Sequence, residues 1–351
     1  MAPWIYLRYL LLPALVVAGW LLGGWWNLLT PILCFAAHPV YCLIRKSAAD
    51  GHEHEPPSHP SVLYRFVALI FVPVLLVLTS WTISKAQEAG VIEFTGLFIS
   101  VGIINGVIGF TLIHEFIHRH TFVEKISARL LMLQNNYPHY GIEHISGHHL
   151  YTCTAKDPHA ARINESVYHF LLRSVLCTAI NSWQIEKKRL LKKGISVLNF
   201  HNRLLQFTAL HLACYVLLYL IAGQIALLFY FLQSFVAITI SHLADYLQHY
   251  GLSRKEVSPG KYEKVSAAHA WSKKRSNDGF NLFHIENHAD HHIHPSHTFE
   301  QLMSHEESPT LPTGYSGMMV LSLLPPLWFR VMNKRIISFT NKTTQYETNN
   351  Q

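Results

Sequence analysis

Apolar residues in this chain are collected into long blocks separated by more polar connections. Residues 4–26 (WIYLRYLLLPALVVAGWLLGGWW) form the first block, 28–44 the second, 62–83 the third, 91–113 the fourth, 205–222 the fifth and 224–244 the sixth. A helix rises ~1.5 Å per residue, so a hydrocarbon layer of ~30 Å asks for about twenty apolar residues. The third, fourth and sixth blocks meet that length, whereas the second is short and reads as tilted or partly interfacial. The pattern predicts an all-α integral membrane fold, a transmembrane helical bundle of six spans. The first block has Trp at both ends and no small-residue cleavage site before the second, so it reads as a retained anchor. Trp4, Trp25 and Trp26 then sit where an aromatic belt holds the ends of a span. Residues 316–332 are apolar but interrupted by Pro325 and Pro326, which predicts a helix lying against the membrane.

Composition agrees with this reading. Half of the 351 residues are hydrophobic and only 14% are charged, where a soluble domain has roughly a quarter charged. The formal charge of +7 falls at Arg8, Arg45, Lys46 and Arg65, then through 119–203 and 254–275. The connections near 27, 84–90 and 223 are nearly free of it. The positive-inside tendency then predicts a cytoplasmic N-terminus, C-terminus and two long cytoplasmic segments in a cell inner membrane. The expected organisation is four spans in 1–113, a cytoplasmic helical cap in 114–204, spans five and six in 205–244, the rest of the cap in 245–335 and a polar C-terminal tail in 336–351. The basic excess is thus topological and needs no nucleic acid, although Lys187, Lys188, Arg189, Lys192 and Lys193 suit contact with anionic headgroups. Five cysteines (Cys34, Cys42, Cys153, Cys177 and Cys214) occur singly. They offer neither a disulfide framework nor an iron–sulfur or rubredoxin-type centre.

Histidine supplies the candidate chemistry. Of 25 histidines, His114 and His118 follow the fourth block, and His144, His148 and His149 lie in EHISGHH. His249 follows the sixth block, and His288, His291 and His292 lie in NHADHH. Spacings of three and four stack side chains on one helical face. One such pair is weak evidence, but nine imidazoles on one side of a membrane exceed the six positions of an octahedral ion and imply two ions sharing a site. Nitrogen ligation suits iron, copper, zinc or nickel, so spacing leaves the metal open. HEFIH also has the H-E-x-x-H form of zinc metalloproteases, with Glu115 as general base. The segment HEHEPPSHP (52–60) reads as a loop, and His38, His169, His201 and His211 as surface or packed residues.

Together these clusters resemble the membrane-bound alkane 1-monooxygenases, and more weakly xylene monooxygenase, membrane fatty-acid desaturases and related hydroxylases. The motifs that carry the resemblance read HEFIHR (114–119), EHISGHH (143–149), DYLQHYGL (245–252) and NHADHH (287–292), joined by KDPHAARINESVY (156–168) and the segment 294–332. Coverage is roughly residues 100–335. Two departures touch substrate range and tuning of the metals: Asn287 stands where the family often has Arg, and Gln248 where it often has Glu. Asp245, one turn before His249, offers a substitute carboxylate.

The resemblance implies an O₂-dependent di-iron hydroxylase, acting on the terminal methyl of alkanes or related alkyl substrates. Its expected metal ligands are His114, His118, His144, His148, His149, His249, His288, His291 and His292. Glu115, Glu143, Asp245 and Asp290 are expected to orient ligand imidazoles through their other ring nitrogen. The chain has no redox cysteine cluster and no G-x-G-x-x-G motif, so a soluble cytoplasmic electron donor is expected, and the resemblance implies that it is rubredoxin with its reductase. The basic segments 187–193 and 254–275 are candidates for docking that donor. Gly102, Gly106 and Gly109 sit at small-residue spacing on the fourth span, where close helix packing is their first expected role.

Overall fold

A computed structural model describes residues 2–45, 56–57, 59–273 and 282–349; most of the 52–60 loop lies outside them. Five helical stretches are long and apolar enough to cross a bilayer: α1 (Pro3–Leu22), α2 (Gly24–Ile44), α3 (Val62–Ala86), α4 (Val91–Ile117) and the 47-residue α8 (Arg203–His249). Between α4 and α8 come α5 (Phe122–Gln134), α6 (140–151) and α7 (Val167–Leu191). After α8 follow a small hairpin (Glu256–Ser258 with Lys261–Tyr262), α9 (His288–Ile293), α10 (Tyr315–Ser322) and α11 (Pro325–Asn349).

Element ends follow local chemistry. The first apolar block divides at Gly23 and Gly24, whose φ of 76° and 52° only glycine adopts freely, so Trp25 and Trp26 open α2 instead of closing α1. Ser61, Thr121, Ser166 and Asn202 cap α3, α5, α7 and α8 by accepting from backbone N–H groups one turn in. Pro325 and Pro326 split the 316–332 segment into two helices, because proline starts a helix well and continues one badly. Residues expected as a polar tail continue α11 to Asn349.

α8 is a helical hairpin. Gly223 is non-helical (φ 74°, ψ −174°), and the rings of Tyr215 and Phe231 lie 5.1 Å apart. A straight helix would separate those two residues by roughly 24 Å. Its second arm packs directly on α4, where a Cβ at Gly102 would fall 2.6 Å from Val236 Cβ, and one at Gly106 2.6 Å from Ile240 Cβ. Both glycines therefore serve close backbone approach, while Gly109 faces Asn135 on another side. A buried polar knot pins the same level: Asn105 donates to Thr79 Oγ1 (3.1 Å) and Gln233 Oε1 (2.8 Å) and accepts from Gln134 (2.8 Å). Four helices are cross-linked where water is scarce.

Candidate metal centre

Four pieces of the chain deliver the clustered histidines to one buried volume. α4 runs unbroken past its apolar stretch and brings His114, with His118 at its C-terminal cap. α6 supplies His144, His148 and His149, α8 ends on His249, and the short α9 bears His288, His291 and His292. The loop entering α9 is fixed by two left-handed residues, Phe283 (φ 49°) and His284 (φ 55°). Phe283 is wedged against Tyr6, Tyr9, Phe71 and Phe299, and Tyr6 hydrogen-bonds His284 at 2.7 Å. Packing with α1 and α3 thus holds a backbone that an isolated peptide would avoid.

All nine histidines read from the sequence are brought together, and they divide into two neighbouring groups. His114, His118, His144, His149 and His291 form one, and His148, His249, His288 and His292 the other, with one donor atom of each member within 4.8 Å of the rest. The division does not follow sequence adjacency. Residues 144–148 form a π-turn, whose wider winding brings residues five apart into line. His144 therefore meets His149 (Nε2 to Nε2 3.0 Å) instead of His148. His291 joins His149 at 3.0 Å, while its neighbour His292 faces His148 at 3.2 Å and His288 at 2.9 Å.

The residues fit a metal. Two imidazole nitrogens bound at right angles to one ion, each at ~2.1 Å, lie about 3.0 Å apart, which is the spacing found. His114 Nε2, His118 Nε2 and His249 Nε2 are buried without a protein hydrogen-bond partner, a costly arrangement unless something accepts their lone pairs. Three of the outward nitrogens are anchored, whereas His288 Nδ1 is buried without a hydrogen-bond partner. His148 Nδ1 lies 3.1 Å from both oxygens of Asp157, His249 Nδ1 is 3.1 Å from the His269 carbonyl, and His292 Nδ1 is 3.2 Å from Thr152 Oγ1. Burial, with neighbouring imidazoles adding to it, pushes His144, His288, His291 and His292 well below the usual imidazole range. That favours the neutral form, which ligation requires.

The acidic residues behave otherwise than expected. Among the described residues, no carboxylate of Glu115, Glu143, Asp245 or Asp290 hydrogen-bonds a member of the nine. Glu115 pairs with Arg119 at 2.8 Å, so it is not free to act as a protease base at His114 and His118. Glu143 and Asp245 grip His159 instead, Nε2 to Glu143 Oε2 at 2.9 Å and Nδ1 to Asp245 Oδ2 at 2.7 Å. Burial opposes charge on His159, but Asp245 and Glu143 outweigh it and raise its pKa well above the ordinary value. Asp290 accepts from three other histidines, taken up below.

The anchoring part expected of those acids falls to Asp157, which sequence reasoning missed together with His159 and His242. A lone Asp-x-His in a polar loop has no periodicity to mark it; its only trace was the likeness of KDPHA to the connecting segment. The His159 backbone N–H also donates to Asp157 (2.9 Å), tying the two together.

A cavity of about 50 Å³ opens beside the two groups, lined by His114 and His288 together with Gly106, Phe110, Tyr140, Asp245 and others. It shares Val107, Ile285, Tyr315 and Met319 with a second cavity of about 80 Å³ that reaches Leu12, Leu33 and Phe35 on α1 and α2. Two mostly apolar cavities thus lie side by side between the spans and one histidine of each group.

A helical bundle with apolar spans and buried imidazole clusters defines a membrane protein with a histidine-built metal centre. The fatty acid desaturase family profile matches residues 91–322. Alkane 1-monooxygenase 2 of Pseudomonas aeruginosa is 31% identical over 96% of this chain and 92% of its own length. Alkane 1-monooxygenase 1 of the same organism is 33% identical over 79% of this chain and 73% of its own. The xylene/toluene monooxygenase hydroxylase component XylM of Pseudomonas putida is 27% identical over 93% and 88%. The chain belongs to the alkane 1-monooxygenases within the fatty acid desaturase family, and is an oxidoreductase.

Proposed function

We propose that this protein hydroxylates the terminal methyl of alkanes or related lipophilic alkyl substrates to primary alcohols, with O₂ as co-substrate. Two iron ions would be held by the nine histidines, five of them at one ion and four at the other. The observation that carries this reading is the pairing of that division with a cavity touching His114 of one group and His288 of the other. Iron, when bound, supplies the O₂ activation that an unactivated C–H bond demands, since such a bond offers no polar handle.

The chain's own residues do the rest. Leu12, Leu33, Phe35, Val107 and Met319 admit an apolar chain from the bilayer and exclude water. These cavities measure only about 80 and 50 Å³, which suits a chain entering end-on with its terminal carbon toward His114 and His288. Asp157 orients His148, and His159, held as an imidazolium, balances the buried Glu143 and Asp245. α8 crosses the bilayer twice, giving six spans in an inner membrane with the histidine-bearing layer on the cytoplasmic side. Electrons come from rubredoxin and its reductase. Lys187 and Lys188 at the exposed end of α7 suit an acidic donor, so turnover driven by reduced rubredoxin falls with ionic strength.

A second reading, hydroxylation or desaturation of acyl chains or of aromatic methyl groups, is favoured by the family profile and the similarity to XylM. Feeding octane, hexadecane, xylene and acyl substrates to a heterologous host under ¹⁸O₂, with His291→Ala as control, separates the two. Labelled 1-alkanol from wild type alone is expected. Labelled xylyl alcohol or unsaturated acyl product without 1-alkanol overturns the alkane assignment.

A further inference from the structure

Asp290 sits on α9 between His288 and His291, yet its fully buried carboxylate turns away from both groups. Its Oδ1 lies 3.1 Å from His294 Nδ1 and 2.8 Å from His305 Nε2, and its Oδ2 lies 3.1 Å from His297 Nδ1 and 3.4 Å from the Met303 amide. The rings of His294 and His297 stack at 4.5 Å with 18° between their planes, which aims both Nδ1 atoms at one carboxylate. One donor atom from each of Asp290, His294 and His297 lies within 4.8 Å of the others.

The segment bearing these rings is braced from outside. His294 N donates to the Asp290 carbonyl (2.7 Å) and His297 N to the His294 carbonyl (2.9 Å). Arg119, itself paired with Glu115, donates to the carbonyls of Ser296 (2.6 Å) and His297 (2.5 Å). Solvent reaches the rings, since the side chains of His294 and His297 are 45% and 31% exposed above a carboxylate that is 0% exposed. A cation thus has an entry route to the three side chains, where it would replace the protons that the Nδ1 atoms of His294 and His297 share with Asp290.

We propose that Asp290, His294 and His297 form a further metal site, separate from the nine-histidine centre, which takes one divalent transition-metal ion of the zinc class. Two imidazoles and one carboxylate with open positions are a donor set for such an ion. His305 acts as the positioning residue, fixing the carboxylate through Oδ1. The bound ion ties the end of α9 to the loop that follows it and so steadies the helix bearing His288, His291 and His292.

The test uses the full-length, iron-loaded protein in detergent, stripped of loosely held metal and titrated with Zn²⁺, with iron and zinc counted together. Wild type is expected to take up one zinc per chain while keeping its iron, and to melt at a higher temperature for it. His294→Gln/His297→Gln is expected to lose that zinc and the thermal gain with iron content unchanged. Uptake of no extra zinc by wild type, or equal uptake by the double variant, overturns the proposal. Should the double variant fail to fold, Cu²⁺ bound to wild type decides: electron paramagnetic resonance showing coupling to two imidazole nitrogens supports the site, and its absence refutes it. Iron content reports on the main centre, so the two assignments fail separately.

Discussion

Two buried histidine clusters lie side by side in this protein and do opposite chemistry. In the nine-histidine centre, inner nitrogens face one another or nothing, and the outer nitrogens of His148, His249 and His292 are tied to Asp157, the His269 carbonyl and Thr152. In the adjoining cluster both nitrogens of His159 are taken by carboxylates, and both of His242 by hydroxyls, Tyr137 at 2.7 Å and Ser174 at 3.0 Å. His159 and His148 are near neighbours, with ring centroids 5.0 Å apart. What separates a metal site from a hydrogen-bonded one is therefore the balance of lone pairs and partners. A count of histidines does not reveal it.

The largest break in that comparison comes from removing an inner donor. His149→Ala, which empties the contact between His144 and His291, is expected to abolish hydroxylation and reduce iron below that of wild type, a loss beyond the ~10–100-fold of an anchoring residue. Metal analysis with alkanol chromatography checks it; full iron in this variant counts against the ligand assignment.

Acid comes next. The pKa values of His144, His288, His291 and His292 are depressed in the metal-free fold, against about 6.5 when unfolded. For a base with a lowered folded pKa, stability is present above the unfolded value and is lost as pH falls below it. Metal-free protein should thus melt earlier, and loaded protein release iron, between about pH 6.5 and 5. His159 has the opposite sign. Its raised pKa gives stability that is full below about 6.5 and is lost as pH rises through the folded value. His159→Gln should flatten the alkaline side of the melting-temperature profile and leave the acid side unchanged. An unaltered alkaline limb would show that His159 is not charged.

Asp157→Asn is milder, costing about 10–100-fold in metal affinity or activity, with the four-histidine group losing its ion first. Equal loss from the two proposed iron sites, counted by Mössbauer spectroscopy, would deny that Asp157 acts on the metal through His148. Gly106→Ala has the smallest effect. Its Cβ would meet Ile240 and narrow the cavity, destabilising by ~1–3 kcal/mol and shifting product yield toward the alcohols of shorter alkanes. An unchanged product profile would remove Gly106 from the substrate passage.

Much of this was legible in the residues themselves. Apolar blocks are long because lipid demands about twenty residues per crossing, so the helices could be read off directly, and α4 runs on to put His114 and His118 at its end. The nine histidines were legible because an i, i+4 pair, a doublet or a span end marks each. Asp157, His159 and His242 were not, since each is a single polar residue whose role depends on a partner far along the chain. The boundary between the first two helices was missed for a local reason: Gly23 and Gly24 turn the chain inside an unbroken apolar run.

The sequence by itself determined that helices of membrane length exist and that many imidazoles gather at their ends, because periodicity and hydrophobicity are local properties. Only the tertiary structure decided which imidazole faces which. Adjacent residues on a helix point about 100° apart, so His148 and His149, and likewise His291 and His292, go to different groups. The π-turn at 144–148 and the packing of α9 under Phe283 set those directions, and neither is written in the spacing of the histidines.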